Sequence, residues 1–420
     1  MREQKNILQN IDWLMAGLYL VLVIIGWFSI YAAVYNEEHS SIFDITQNYG
    51  KQLLWIGVAL FVAFIVLIID GKFYAAFSYG IYAAIIILLI ASLIIARKVK
   101  GAEAWIDIGA FKLQPSEFAK FATCMALAKY LSSLNIRMED LRTKIMSGII
   151  IAIPLALTLA QNDTGSALVF MSFIFLLYRE GLSGNFLLLG FLAIILFILA
   201  LLVNKFVLIG IFAGIALLFF FMSRKNKRNI ILISAVLVIT SGMVMSVDYV
   251  YHSVLQPHQR TRIDVLLGTQ TDLKGVGYNV NQSKIAIGSG GFLGKGFLQG
   301  TQTKYDFVPE QSTDFIFCTI GEDWGFVGAS LVIALYMALL LRILFAAERQ
   351  RSVYTRIYGY GLASIIFFHL MVNIGMTIGL APVIGIPLPF LSYGGSSLLS
   401  FTILLFIFIR LDAYRMMILR

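Results

Sequence analysis

Charge is what this chain has least of. Only 13% of its 420 residues are Asp, Glu, Lys or Arg, while 59% are hydrophobic; a soluble chain carries about a quarter charged residues. Cysteine is also scarce: Cys124 and Cys318 are the only two, and both lie inside apolar segments, where a thiol acts as a small hydrophobe. That excludes a disulfide framework and a CxxC redox or zinc site. There are four histidines, with no HExxH, no nucleophile elbow and no Cys/His cluster, so a buried-zinc hydrolase or a serine acyltransferase is disfavoured. The glycine-rich run Gly288–Gly296 fits neither a P-loop nor GxGxxG. It reads as a tight turn free of Cβ atoms, or as bare N–H groups and Lys295 set to meet an anionic head group.

Long apolar runs fill the space that charge vacates. Each is long enough to cross a bilayer as a helix, which makes the chain an all-α polytopic membrane protein. The expected helices cover about 13–35, 52–69, 73–96, 115–133, 144–161, 164–179, 185–203, 206–222, 229–250, 314–345, 357–380 and 391–410. About twelve crossings place both termini on one side. Cations gather in alternate loops: Lys72; Arg137, Arg142 and Lys144; Arg179; Arg224, Lys225, Lys227 and Arg228; Arg349, Arg351 and Arg356; Arg410, Arg415 and Arg420. By the positive-inside rule these loops and both termini are cytoplasmic. The net charge of +9 therefore reports orientation, with no nucleic-acid partner. Arg2 and Lys5 precede an apolar run too long for a signal-peptide core, which reads as a retained first helix.

The expected organisation is one integral membrane domain over residues 1–420, interrupted by a long extracytoplasmic loop at about 251–313. Loops of that length are usually functional or disordered, and regular aliphatics disfavour disorder here. Within it, Asn279–Ile287 reads as a short amphipathic helix. Where the loop re-enters an apolar segment, Glu310, Asp314, Glu322 and Asp323 form the densest acidic cluster near an interface. A carboxylate there is a candidate general base, metal ligand or proton-relay member; Thr313 or Asp314 also suits a helix N-cap. Glu117 and Lys120 sit three apart on one face of a helix opened by Pro115, either as a mutually neutralising pair or as a functional intramembrane pair. His369 and Asn373 share a face and read as an interhelical hydrogen-bond pair. Arg260 and Arg262 open the long loop on the side where cations are rare, which favours a phosphate-type ligand over simple anchoring.

Several motifs fall in order along the chain: Gly101-x3-Trp105-Ile, Gln114-Pro-Ser-Glu117-x2-Lys120, Asp163-x-Gly165, Gln259-Arg-x-Arg262, Gly277-Tyr-x3-Gln-Ser-Lys284, Gly300-Thr-Gln302, Pro309-Glu-x2-Thr-Asp314, Asn373-Ile-Gly-Met376 and Gly385-Ile-Pro-Leu-Pro-Phe-Leu-Ser-Tyr-Gly-Gly395. Together they resemble the SEDS family (shape, elongation, division and sporulation), and the Gln-Ser-Lys and Gly-Thr-Gln stretches favour its RodA branch. The resemblance implies a peptidoglycan glycosyltransferase of the cytoplasmic membrane. Such an enzyme polymerises lipid II at the outer face during cell elongation, beside a class B penicillin-binding protein. It further implies that Asp314 is the family's essential loop aspartate; for glycosyl transfer the expected role of that carboxylate is the general base. Glu117 and Lys120 match the family's cavity pair and Asp163 its other membrane-edge acid.

For that chemistry Arg260, Arg262, Lys284 and Lys295 are candidates for the diphosphate. Gln282 and Glu310 are further candidates for substrate contact, and Trp105 either stacks on a sugar or anchors its loop. No motif demands a cofactor, and a divalent cation at Asp314 is left open. Three positions depart from the family pattern: Ser312 in place of His, Glu322-Asp323 in place of Glu-Glu, and Asn162-Asp-Thr-Gly in place of Pro-Asp-Leu-Gly. Two apolar segments within 186–222 exceed the family's ten helices and read as an extra hairpin. The rival readings are a lipid II flippase, motivated by Glu117 and Lys120, and a scaffold that only activates the penicillin-binding protein.

Overall fold

The computed structural model describes residues 10–35, 41–95, 97–99, 102–108, 111–223, 226–268, 276–305 and 307–418. Arg2, Lys5, Gly101, Arg224, Lys225 and Arg420 of the sequence reading lie outside them. The helices run in the order α1 (Trp13–Val34), α2 (Asn48–Ile68), α3 (Gly71–Ile95), α4 (Pro115–Leu131), α5 (Leu141–Ala160), α6 (Thr164–Val169), α7 (Phe173–Arg179) and α8 (Gly184–Leu202). They continue with α9 (Lys205–Met222), α10 (Lys227–Tyr249), α11 (Pro257–Leu267), α12 (Val276–Gly290), α13 (Thr301–Lys304), α14 (Ile316–Glu348), α15 (Val353–Thr377) and α16 (Gly395–Ile418).

All twelve expected segments are helical. Among the described residues, ten helices are long and apolar enough to cross a membrane; the other two expected segments, α4 and the broken 164–179, are shorter. The all-helical expectation overlooks one element. Between α3 and α4 lies an antiparallel meander of β1 (Arg97–Val99), β2 (Ala102–Ile108) and β3 (Phe111–Leu113), with Asp107 opposite Lys112. The alternation Trp105, Ile106, Asp107, Ile108 is too short to stand out beside runs of twenty apolar residues.

Two compact units divide the chain: residues 1–182 with 278–420, and residues 183–277. In the first, α4 packs on α3, α5, α15 and α16, and α14 on α1 and α15. Helices α15 and α16 are the buried centre, whereas α2 and α3 turn most of their surface outward, as lipid-facing helices do. In the second unit α10 packs on both α8 and α9, the apolar pair within 186–222. Lys205 at the start of α9 pairs with Asp248 at 2.9 Å, and the hydroxyl of Tyr251 donates to Asp264. Pro257 opens α11 behind a capping box of Gln256 and Gln259.

The glycine-rich run proves to be a packing device. Gly325 breaks α14 at φ +62° and ψ −157°, which frees backbone groups that lipid cannot satisfy. Residues 291–296 satisfy them. Lys295 and Gly296 donate backbone N–H groups to the carbonyls of Glu322 and Asp323, while Phe326 and Val327 donate to Gly291 and Phe292, all at 2.9–3.1 Å. The two backbones approach so closely that a Cβ on Gly325 would lie 2.3 Å from the Gly294 nitrogen, and one on Gly294 would lie 2.2 Å from the Asp323 oxygen. Gly325→Ala is therefore expected to destabilise the protein by more than ~2 kcal/mol, combining a disfavoured φ with a steric clash. Gly148→Ala, whose Cβ meets nothing within 4 Å, serves as the neutral control in thermal unfolding.

Candidate active site

Asp314 lies in a turn held from three directions. Glu310 adopts the left-handed conformation at φ +61°, and its carbonyl accepts the N–H groups of Thr313 and Phe315 at 3.1 and 3.2 Å. The carbonyls of residues 312, 313 and 314 each have their own donor. Ser312 accepts from the Tyr393 N–H at 2.8 Å, Thr313 from the Ser392 hydroxyl at 2.6 Å, and Asp314 from the Asn373 amide at 2.8 Å. Helix α14 begins at Ile316, with Phe315 as its N-cap, so Asp314 sits directly before the cap. It faces Gly385, where an added Cβ would sit 3.3 Å from Oδ2. Gly385 itself holds φ at +69°. A side chain there would be strained and would crowd the carboxylate.

Glu117 and Lys120 form a salt bridge of 2.7 Å, each about 1% exposed. The Lys120 ammonium also lies 3.2 Å from His369 Nε2 and 4.6 Å from the centre of the Phe401 ring. In so dry a place an isolated charge is expensive, and the pair together with the ring face compensates both ions. Asp163 caps α6 by accepting the Ser166 N–H, and accepts the Gln114 side-chain amide at 2.8 Å. It thereby ties the start of α4 to α6. Gly165 allows this corner to close, since its Cβ would fall 2.2 Å from the Ile384 carbonyl oxygen.

The acidic cluster of the sequence divides in space. Glu310 is exposed and accepts the Thr313 hydroxyl at 2.9 Å, beside Asp314. Glu322 is fully buried and accepts from Lys295 at 2.7 Å and from the N–H groups of Gln302 and Thr303 at 2.9 Å. The Lys295 bond pins the glycine-rich run to α14, and the other two pin α13. Lys295 is thus engaged with Glu322 and, at 2.8 Å, with Thr301.

Lys284 on α12 is exposed and lies over Gly379, where a Cβ would come 2.5 Å from its Nζ. The Ser283 hydroxyl beside it donates to the Thr377 carbonyl at 2.9 Å and docks α12 on the end of α15. Lys284 and Asp314 therefore border the same 379–385 segment. Gln282 is half-buried on α12 and Trp105 half-buried on β2. Arg260 and Arg262 lie on α11 in the 183–277 unit; Arg260 donates to the carbonyls of Leu255 and His252 at 3.0 and 2.7 Å. Among the described residues no three His, Cys, Asp or Glu side chains gather as a protein-only metal site needs.

Sequence reasoning did not assign Asn373, Ser392 or Gly385 to the surroundings of Asp314. Their signals were present: an Asn one turn after a His on a buried helix, and a Gly-Ile-Pro-Leu-Pro stretch whose prolines cannot donate. What the sequence conceals is that this stretch and the 310–315 turn meet.

These features define a polytopic helical membrane protein with a carboxylate fixed in a turn at the entry to a spanning helix. The sequence pattern described as "Cell cycle protein", that of FtsW, RodA and SpoVE, matches residues 12–209 and 182–417, and the chain belongs to that family. It is similar to the peptidoglycan glycosyltransferase RodA of Treponema pallidum, with 34% identity over 93% of this chain and 94% of the relative. It is likewise similar to the peptidoglycan glycosyltransferase MrdB of Escherichia coli K12, with 34% identity over 82% of this chain and 80% of the relative. The fold matches a chain of a solved peptidoglycan synthase complex (TM-score 0.71, 24% identity, 96% of this chain and 98% of the other). It also matches the crystal structure of the rod shape determining protein RodA of Thermus thermophilus (TM-score 0.63, 22% identity, 96% and 97%).

Proposed function

We infer that this chain is a peptidoglycan glycosyltransferase, and propose that it polymerises lipid II at the outer face of the cytoplasmic membrane during cell elongation, with Asp314 as general base. The observation that carries the reading is the turn at Asp314, whose backbone is held at three successive carbonyls while its carboxylate faces the 385 corner. In the reaction a sugar hydroxyl of one lipid-linked chain attacks the anomeric carbon of another. Its proton passes to the Asp314 carboxylate, the bond from the anomeric carbon to the phosphate oxygen breaks, and undecaprenyl diphosphate leaves with inversion. The leaving group gains negative charge, and Lys284 is the proposed counter-charge. Trp105, Gln282 and Glu310 supply surfaces for sugar and peptide. A class B penicillin-binding protein is the proposed partner.

Purified protein in lipid nanodiscs, supplied with labelled lipid II, tests this by gel analysis of the polymer. Glycan strands are expected without the partner. Transfer of lipid across vesicles with no polymer would favour a flippase, and polymer only in the partner's presence, with the partner's own active site intact, would favour a scaffold. Gly385→Ala is expected to lower the rate at least about tenfold, because a carboxylate displaced by a fraction of an ångström loses alignment with the hydroxyl. A Gly385→Ala enzyme with an unchanged rate would separate Asp314 from this corner.

A further inference from the structure

We propose that His369 and Asn373 are positioning residues that set the backbone carrying Asp314, and that the buried Glu117–Lys120 pair selects the histidine tautomer this requires. The inference rests on Asp314 as the base of the proposed reaction, but its structural half can be tested apart from activity.

Both residues lie on one face of α15, four apart, and both are fully buried. Asn373 donates to two carbonyls from different segments, Asp314 and Ile386, each at 2.8 Å. One amide therefore holds the base-bearing turn against the 385 corner. His369 lies one turn earlier, with Nδ1 at 2.9 Å from the Pro387 carbonyl and Nε2 at 3.2 Å from the Lys120 ammonium. An ammonium can only donate, so Nε2 must accept, and the ring proton then resides on Nδ1. That proton is donated to Pro387. Without Lys120 the two tautomers would compete, and the Nε2–H form would set two acceptors, Nδ1 and the Pro387 oxygen, face to face.

Consecutive carbonyls, Ile386 and Pro387, are thus held by consecutive turns of α15. The same segment continues to Leu388, whose N–H donates to the Ser392 hydroxyl at 2.8 Å, and that hydroxyl donates onward to the Thr313 carbonyl. A displacement at Pro387 is therefore passed to Thr313–Asp314 through bonds already in place. The Glu117 carboxylate, 2.7 Å from the Lys120 ammonium, holds that ammonium toward the ring, so a buried ion pair acts on the catalytic turn through one imidazole.

Two substitutions separate the two ends of that ring. His369→Asn places an amide N–H where Nδ1 lies, keeping the Pro387 bond and losing the one to Lys120. His369→Gln reaches the Nε2 position and does the reverse. With full-length protein in nanodiscs and labelled lipid II, His369→Asn is expected to keep kcat within about threefold of wild type. His369→Gln is expected to lose about tenfold or more, with KM for lipid II unchanged in both. Hydrogen exchange of the 310–318 peptide, read by mass spectrometry, is expected to quicken in His369→Gln and in Asn373→Ala but not in His369→Asn. Equal losses of kcat and melting temperature in both histidine variants would reduce His369 to packing and overturn the proposal, as would a change in KM alone. Unchanged exchange in every variant would overturn it whatever the activity. An inactive wild type with the expected exchange pattern would instead reject Asp314 as the base of a polymerase and leave the positioning network standing.

Discussion

Asp314→Asn should fold as the wild type does and lose lipid II polymerisation by about 10²–10⁴-fold, the range a positioned general base supplies. The turn is anchored through backbone carbonyls at Ser312, Thr313 and Asp314, and the N-cap of α14 uses no side chain, so an isosteric amide leaves these supports intact. What changes is the ability to accept a proton from the attacking hydroxyl. The check is a pair of measurements on one preparation: thermal unfolding, expected to coincide with wild type, and initial rate of glycan formation. A variant that melts normally and polymerises at the wild-type rate would remove Asp314 from the chemistry.

The second large effect concerns stability. Glu117→Gln or Lys120→Met alone leaves one ion about 1% exposed with no counter-charge in its salt bridge, at a cost of ~3–5 kcal/mol. The double variant Glu117→Gln with Lys120→Met removes both charges and is expected to recover most of that loss, since a neutral pair of similar volume needs no compensation. Thermal unfolding of the two single variants and the double closes the cycle. Strictly additive losses would show that the ions are stabilised by something other than each other. Recovered stability need not mean recovered activity: with Lys120 gone, His369 no longer has a reason to prefer the tautomer that holds Pro387.

Much of the fold was legible because membrane crossing leaves a coarse signal: twelve runs of apolar residues became twelve helical segments, including the short α4 and the broken 164–179. The β1–β3 meander was missed because its strands are brief, three to seven residues beside apolar runs of about twenty. At the site, Asp314, Glu117 and Lys120 stood out as charges in apolar surroundings, and the salt bridge between the latter two followed from their spacing. The surroundings of Asp314 were hidden, since Asn373, Gly385 and Ser392 are 59 to 78 residues away along the chain and meet the 313–314 turn only through tertiary packing. Lys295 illustrates the opposite error. Read alone it is a cation awaiting a phosphate, whereas the fold spends it on Glu322, one of the acids that had been grouped with Asp314.

The break at Gly325 also bears on how the protein is made. Residues 291–296 close the hydrogen bonds that α14 cannot close for itself, and they precede that helix in the chain. During synthesis the glycine-rich run therefore emerges first and is on hand when residues 316–328 leave the exit tunnel. A helix with an open ladder never has to wait in lipid for its complement. Moving the run to the far side of α14 by circular permutation would reverse that order and expose the unfinished helix, even though every contact of the finished fold would be kept.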